Sequence, residues 1–159
     1  KRVKVVDAGN SAGRIIFIDN QNYNNGIQLN QINGPESDLP VTFIFSALKP
    51  VVLTGTITGN VRMFFAGDFQ FGMGTETVAY NGLTMFMSNG DMKICSSIWS
   101  YKNNPGGGFL SSDKDITIVE SASFQGQIQC RGNFKTSGLI QFNDSVLKAP
   151  GFTVPKGMK

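Results

Sequence analysis

Asn81-Gly82-Leu83-Thr84-Met85-Phe86-Met87-Ser88-Asn89-Gly90-Asp91-Met92-Lys93-Ile94 is the stretch on which the reading of the fold turns. Asn-Gly is the strongest short hairpin signal, because a type I′ turn needs φ > 0 at both central residues. Two such turns around the strand at 83–87 predict a three-stranded antiparallel meander. Folding about Asn81-Gly82 sets Tyr80 opposite Leu83 and Val78 opposite Met85. Folding about Asn89-Gly90 sets Met87 opposite Met92 and Met85 opposite Ile94. A strand alternates faces with period two, so these side chains share one apolar face. Thr77, Thr84, Phe86, Lys93 and Cys95 take the other, as in a half-buried antiparallel sheet.

The rest of the chain reads as further short strands. Candidates are 2–6, 14–18, 27–32, the almost continuously apolar 41–48, 116–120, 123–130, 133–135 and 139–142. Between 51 and 73 strand-like residues are broken by Gly55, Gly59, Gly67 and Gly72, and Asn103-Asn104-Pro105-Gly106-Gly107-Gly108 is the clearest loop. No long amphipathic helix stands out. The expectation is one all-β domain over 1–159, mainly antiparallel, built as a sandwich or jelly roll. Its core should hold Ile16, Ile18, Phe43, Phe45, Val78, Met85, Ile94 and Ile118. No fixed repeat of 20–50 residues is convincing. Short strands every seven to nine residues after Asp115 keep a short parallel β-helix as the alternative.

Composition agrees with strands and turns. The chain has 159 residues, enough for one good core, with 19 Gly and 13 Phe; only 16% of residues are charged, and good surface helix formers are scarce. The net charge of +3 is small, its one basic cluster being Lys1, Arg2 and Lys4. That is too thin for a phosphate footprint, so no nucleic-acid partner is expected. There is no run of about 18 apolar residues to insert in a membrane. The chain opens on Lys1 without a secretory h-region, which reads as a processed or trimmed piece of something larger. Two cysteines, Cys95 and Cys130, do not make a disulfide framework.

The absence of histidine excludes a Ser-His-Asp or Cys-His site within the chain and removes the commonest metal ligand. Neither a P-loop nor an Asp-rich calcium loop is present, so no cofactor and no metal are expected. Carboxylates remain. Asp68, Glu76 and Asp91 flank the central strands, and glycoside hydrolysis needs a carboxylate pair roughly 5–9 Å apart. These are the catalytic candidates; the competing reading is strand-end charges that discourage edge pairing. A binding site is suggested by Trp99 and Tyr101, which share a strand face and run into Asn103 and Asn104. Rings at a loop edge suit stacking on sugars, with amides supplying donors and acceptors. The alternative for a single tryptophan is the core.

Many short strands, Gly/Asn/Ser/Thr-rich turns, abundant Phe and few charges resemble the distal domains of bacteriophage tail fibres and tailspikes. Ser123-Phe124-Gln125-Gly126-Gln127-Ile128-Gln129-Cys130-Arg131-Gly132-Asn133-Phe134 and Leu139-Ile140-Gln141-Phe142-Asn143-Asp144-Ser145 carry that texture. The likeness is one of style over the whole chain, without a diagnostic motif, and carries over no functional residue. It implies a homotrimer on the virion or another extracellular surface, binding cell-surface carbohydrate or driving trimer assembly without catalysis. The competing classes are a glycan hydrolase or lyase fragment and a structural protein with no ligand.

Overall fold

The structure, a computed structural model, describes residues 2–3, 6–22, 24, 26–73, 83–98 and 107–142. These hold fifteen strands and no helix: β1 (Arg2–Val3), β2 (Val6–Asp7), β3 (Ile15–Ile18), β4 (Ile27–Asn33), β5 (Val41–Phe45), β6 (Val51–Thr58), β7 (Val61–Phe65), β8 (Phe69–Phe71), β9 (Leu83–Ser88), β10 (Met92–Ile94), β11 (Gly107–Ser112), β12 (Ile116–Ile118), β13 (Ser123–Cys130), β14 (Phe134–Thr136) and β15 (Leu139–Phe142). Sheet A runs β1-β4-β6-β8-β10-β12-β14, with β2 also on β4; sheet B runs β15-β13-β11-β9-β7-β5-β3. Every pairing is parallel. From β4 onward the chain lays one strand in sheet A, the next in sheet B, and returns one layer further on. The fold is a two-sheet parallel solenoid. The all-β reading holds, the antiparallel sandwich does not, and the β-helix alternative matches.

The meander fails at its second turn. β9 and β10 are not partners: β9 lies between β7 and β11 in sheet B, and β10 between β8 and β12 in sheet A. Asn89-Gly90 is a corner between the sheets. Gly90 does not take the positive φ of a type I′ turn; it is small because a Cβ there would stand 2.4 Å from Asp68 Oδ1 and 2.6 Å from Asp68 N on the preceding coil. The Asn81-Gly82 turn, with Thr77, Val78 and Tyr80, lies outside the described residues.

Inward side chains stack in columns. In sheet A, Ile27, Val51, Phe69, Met92 and Ile116 align, and beside them Leu29, Leu53, Phe71, Ile94 and Ile118; Phe134 and Thr136 continue the two columns in the last coil, where they are exposed. In sheet B, Phe43, Met63, Phe86, Leu110 and Ile128 align. Phe86 is fully buried, with its ring 4.7 Å from that of Phe69 and 5.4 Å from that of Phe71. This reverses the expected face: Phe86 points to the core, while Met85 shares the outer side of sheet B with Arg62. Met85 is nonetheless buried, as are Phe43, Phe45, Ile94 and Ile118; Ile16 and Ile18 are half-buried, and Val78 is not described.

Candidate functional site

In the middle coils the two edges of the solenoid carry connections of different length. From sheet B to sheet A, the last four corners are three residues each, 66–68, 89–91, 113–115 and 131–133. From sheet A to sheet B, two connections are long: 72–82 between β8 and β9, and 95–106 between β10 and β11. Phe71 pairs with Ile94 where they leave and Leu83 with Gly107 where they return, so their anchor points are neighbours at both ends.

Asp68 and Asp91 sit on the short-corner edge, one coil apart in the same position. The backbone N–H of Asp91 donates to Asp68 Oδ1 at 2.9 Å, that of Asp115 to Asp91 Oδ1 at 3.2 Å, and that of Asn133 to Asp115 Oδ1 at 2.8 Å. The backbone N–H of Asn133 holds the Asp115 carboxyl below the usual carboxylate range; desolvation opposes it, and the Asn133 side-chain amide and Lys135 add smaller shares. A second column runs beside it. The Ser88 hydroxyl donates to the Gly67 carbonyl at 2.7 Å and accepts the Gly90 N–H at 2.9 Å; Ser112 repeats the pattern with Gly90 and Lys114. Corners of a parallel coil leave backbone groups outside the ladders, and these side chains satisfy them. Asp68 and Asp91 therefore carry a structural task. Among the described residues no group of three or more Cys, Asp or Glu could hold a metal ion.

Glu76, Trp99, Tyr101, Asn103 and Asn104 lie outside the described residues. Their places in the chain are informative all the same. Glu76 belongs to the first long connection, and Trp99, Tyr101, Asn103 and Asn104 to the second, which start and end on neighbouring strands. Asp68 and Asp91 lie on the edge opposite the points where the two connections leave and return.

A feature not read from the sequence lies on the outer side of sheet B. A groove of about 280 Å³ is lined by Ile44, Phe64, Met87 and Ser111, with corner residues Asn89 and Asp113 on its rim. Residues 41–48 read as an almost continuously apolar, buried strand; in the structure Val41, Phe43 and Phe45 face in, while Thr42 and Ile44 face out and are half-buried. The signal was the apolar residue at the outward position of three successive strands, visible only once the coils are aligned. No family model matches the chain, and no curated protein or solved structure matches it significantly.

Proposed function

We propose that the chain is a structural and attachment domain of a phage tail fibre or tailspike, which presents the long connections of one edge to host cell-surface carbohydrate and assembles as a homotrimer. The observation that carries this reading is an asymmetry in the middle coils: two successive connections of eleven and twelve residues leave one edge from neighbouring strands, while the last four corners of the other edge have three residues each. A rigid scaffold with long connections on one side is a common way for proteins to present binding residues. In sequence, the aromatic and amide residues Trp99, Tyr101, Asn103 and Asn104 fall between β10 and β11. The localisation that goes with it is the virion or another extracellular surface.

A glycan array run together with a reducing-sugar assay tests it. Binding without turnover is the expected result, and Trp99→Ala should abolish binding while leaving the melting temperature almost unchanged. Turnover would move the chain to the hydrolase or lyase class, with Glu76 the first carboxylate to substitute. Neither binding nor turnover would leave a structural protein without a ligand of its own.

A further inference from the structure

The outer side of sheet B carries a column with one residue per coil: Phe17, Ile44, Phe64, Met87, Ser111 and Gln129. Phe17 is 72% exposed, and Ile15, in the flanking column, 59%. Four consecutive apolar side chains are followed by a hydroxyl and an amide. The matching outer column of sheet A is Gln28, Val52, Gln70, Lys93, Thr117 and Lys135, polar along most of its length. A contiguous apolar strip on one side only marks an interaction surface.

We propose that this strip is the contact between copies of the chain, lying parallel and in register around an axis that runs along the solenoid. The proposal rests on the reading that the chain self-assembles, and names the face that does it. Lengthwise sorting of the strip selects the direction. In parallel register Phe17, Ile44, Phe64 and Met87 meet their own kind, and Ser111 and Gln129 meet hydroxyl and amide. Reversed over six coils, Phe17 would lie on Gln129 and Ile44 on Ser111. Charge agrees. Among the described outward residues of strands β3 to β13 in this sheet, Arg62 is the one charged side chain. A cyclic arrangement sets the Arg62 column against the neighbour's corner column, so that two guanidinium groups do not face each other. Arg62 Nε is buried without a hydrogen-bond partner in the single chain, and burial disfavours its charge. The corner column opposite would bring Ala66 to the same height and the side-chain oxygen of Asn89 one coil away, an acceptor within an arginine's reach. Seven strands at about 4.8 Å spacing and about five residues long give a face of roughly 500 Å² before side-chain relief. A standard interface takes roughly 800 Å² of accessible surface from each partner, so side-chain relief and the flanking corner column must supply the rest.

The test combines mass with register. The parent should sediment as an oligomer of the 17.2 kDa chain, and Phe17→Glu, at an exposed position with little fold cost, should release monomer without changing the circular dichroism spectrum. In a Cys130→Ser background, Phe64→Cys should cross-link to itself under mild oxidation, while Lys135→Cys on the outer side of sheet A should not. Both results are required. A parent that stays monomeric at high concentration overturns this proposal and the assembly reading together. An oligomer that ignores Phe17→Glu, or that gives no Phe64→Cys cross-link, overturns the face and leaves the assembly reading standing. A monomer in which added glycan protects Phe64→Cys from alkylation makes the groove a ligand site instead.

Discussion

Asp68 accepts the backbone N–H of Asp91 through Oδ1 at 2.9 Å, although the two residues stand 23 apart in sequence. Asp91 and Asp115 repeat the relation, and Asn133 ends it. The column gives the short-corner edge a ladder of side chains in place of strand hydrogen bonds. At Asp115 the gain from the Asn133 N–H outweighs the desolvation of the carboxyl.

That balance makes the fold pH-dependent at Asp115. Its folded value is depressed below the unfolded 3.8. A depressed carboxylate contributes stability that is complete above the unfolded value and is lost as pH falls through the folded one. Asp115→Asn keeps an oxygen for the Asn133 N–H and removes the titration. The parent should therefore melt above the variant at pH 7, and the difference should close as pH is taken below 3.8. A gap of equal size at pH 7 and pH 3 would show that the carboxylate charge contributes nothing.

Gly126 and Gly108 are neighbours in an inward column of sheet B. Gly126 has φ of 146°, and a Cβ there would lie 1.9 Å from the Gly108 carbonyl oxygen. Backbone strain of this kind costs about 1–3 kcal/mol before the clash is counted. Gly126→Ala should lower the free energy of unfolding by roughly 3 kcal/mol or more, read from the urea midpoint. A midpoint within error of the parent would mean that the two strands can part at this point without loss.

The alternation inside strands was legible, and the direction of pairing was not. Met92 and Ile94 face in and Lys93 out, as the period of two requires, but that period is the same for parallel and antiparallel neighbours. Asn89-Gly90 misled because glycine serves close approach between coils as well as positive φ, and the sequence does not distinguish the two needs. The repeat was hidden by unequal coils. The pairings Ile27 to Val51, Val51 to Phe69, Phe69 to Met92, Met92 to Ile116 and Ile116 to Phe134 span 24, 18, 23, 24 and 18 residues. Aligned on the corners, however, Phe65-Ala66-Gly67-Asp68-Phe69-Gln70-Phe71, Ser88-Asn89-Gly90-Asp91-Met92-Lys93-Ile94, Ser112-Asp113-Lys114-Asp115-Ile116-Thr117-Ile118 and Cys130-Arg131-Gly132-Asn133-Phe134-Lys135-Thr136 form one motif. Its fourth position is the hydrogen-bond ladder. Asp68 and Asp91 were therefore visible as special residues, but for a structural reason that needs the third dimension to read.

Face assignment gives a direct contrast. Phe86 is fully enclosed and touches the rings of Phe69 and Phe71, whereas Met87 is half-buried on the outer side. Phe86→Ala should cost about 3–5 kcal/mol, the usual range for a core phenylalanine. Met87→Ala should cost under about 1.5 kcal/mol, since less apolar area leaves water there. An antiparallel meander with Met87 on the core face demands the opposite ranking, so chemical denaturation of the two variants decides between the architectures.

The two thiols should report on the solenoid's interior from different depths. Both are free; Cys95 is buried just after β10, and Cys130 is half-buried at the end of β13. Burial pushes the Cys95 thiol up, with Lys93 opposing more weakly. The thiolate is the reactive form, so Cys95 is disfavoured both by access and by ionisation. Cys130 donates to the Lys114 carbonyl at 3.1 Å, an exposed contact at the corner after β13. At pH 8 a thiol reagent should therefore label one equivalent quickly and the second slowly, with Cys130→Ser removing the fast phase and denaturant merging the two. Reaction of Cys95 as fast as that of Cys130 would mean that the chain after β10 opens readily, which would place the start of the second long connection among the mobile parts of the molecule.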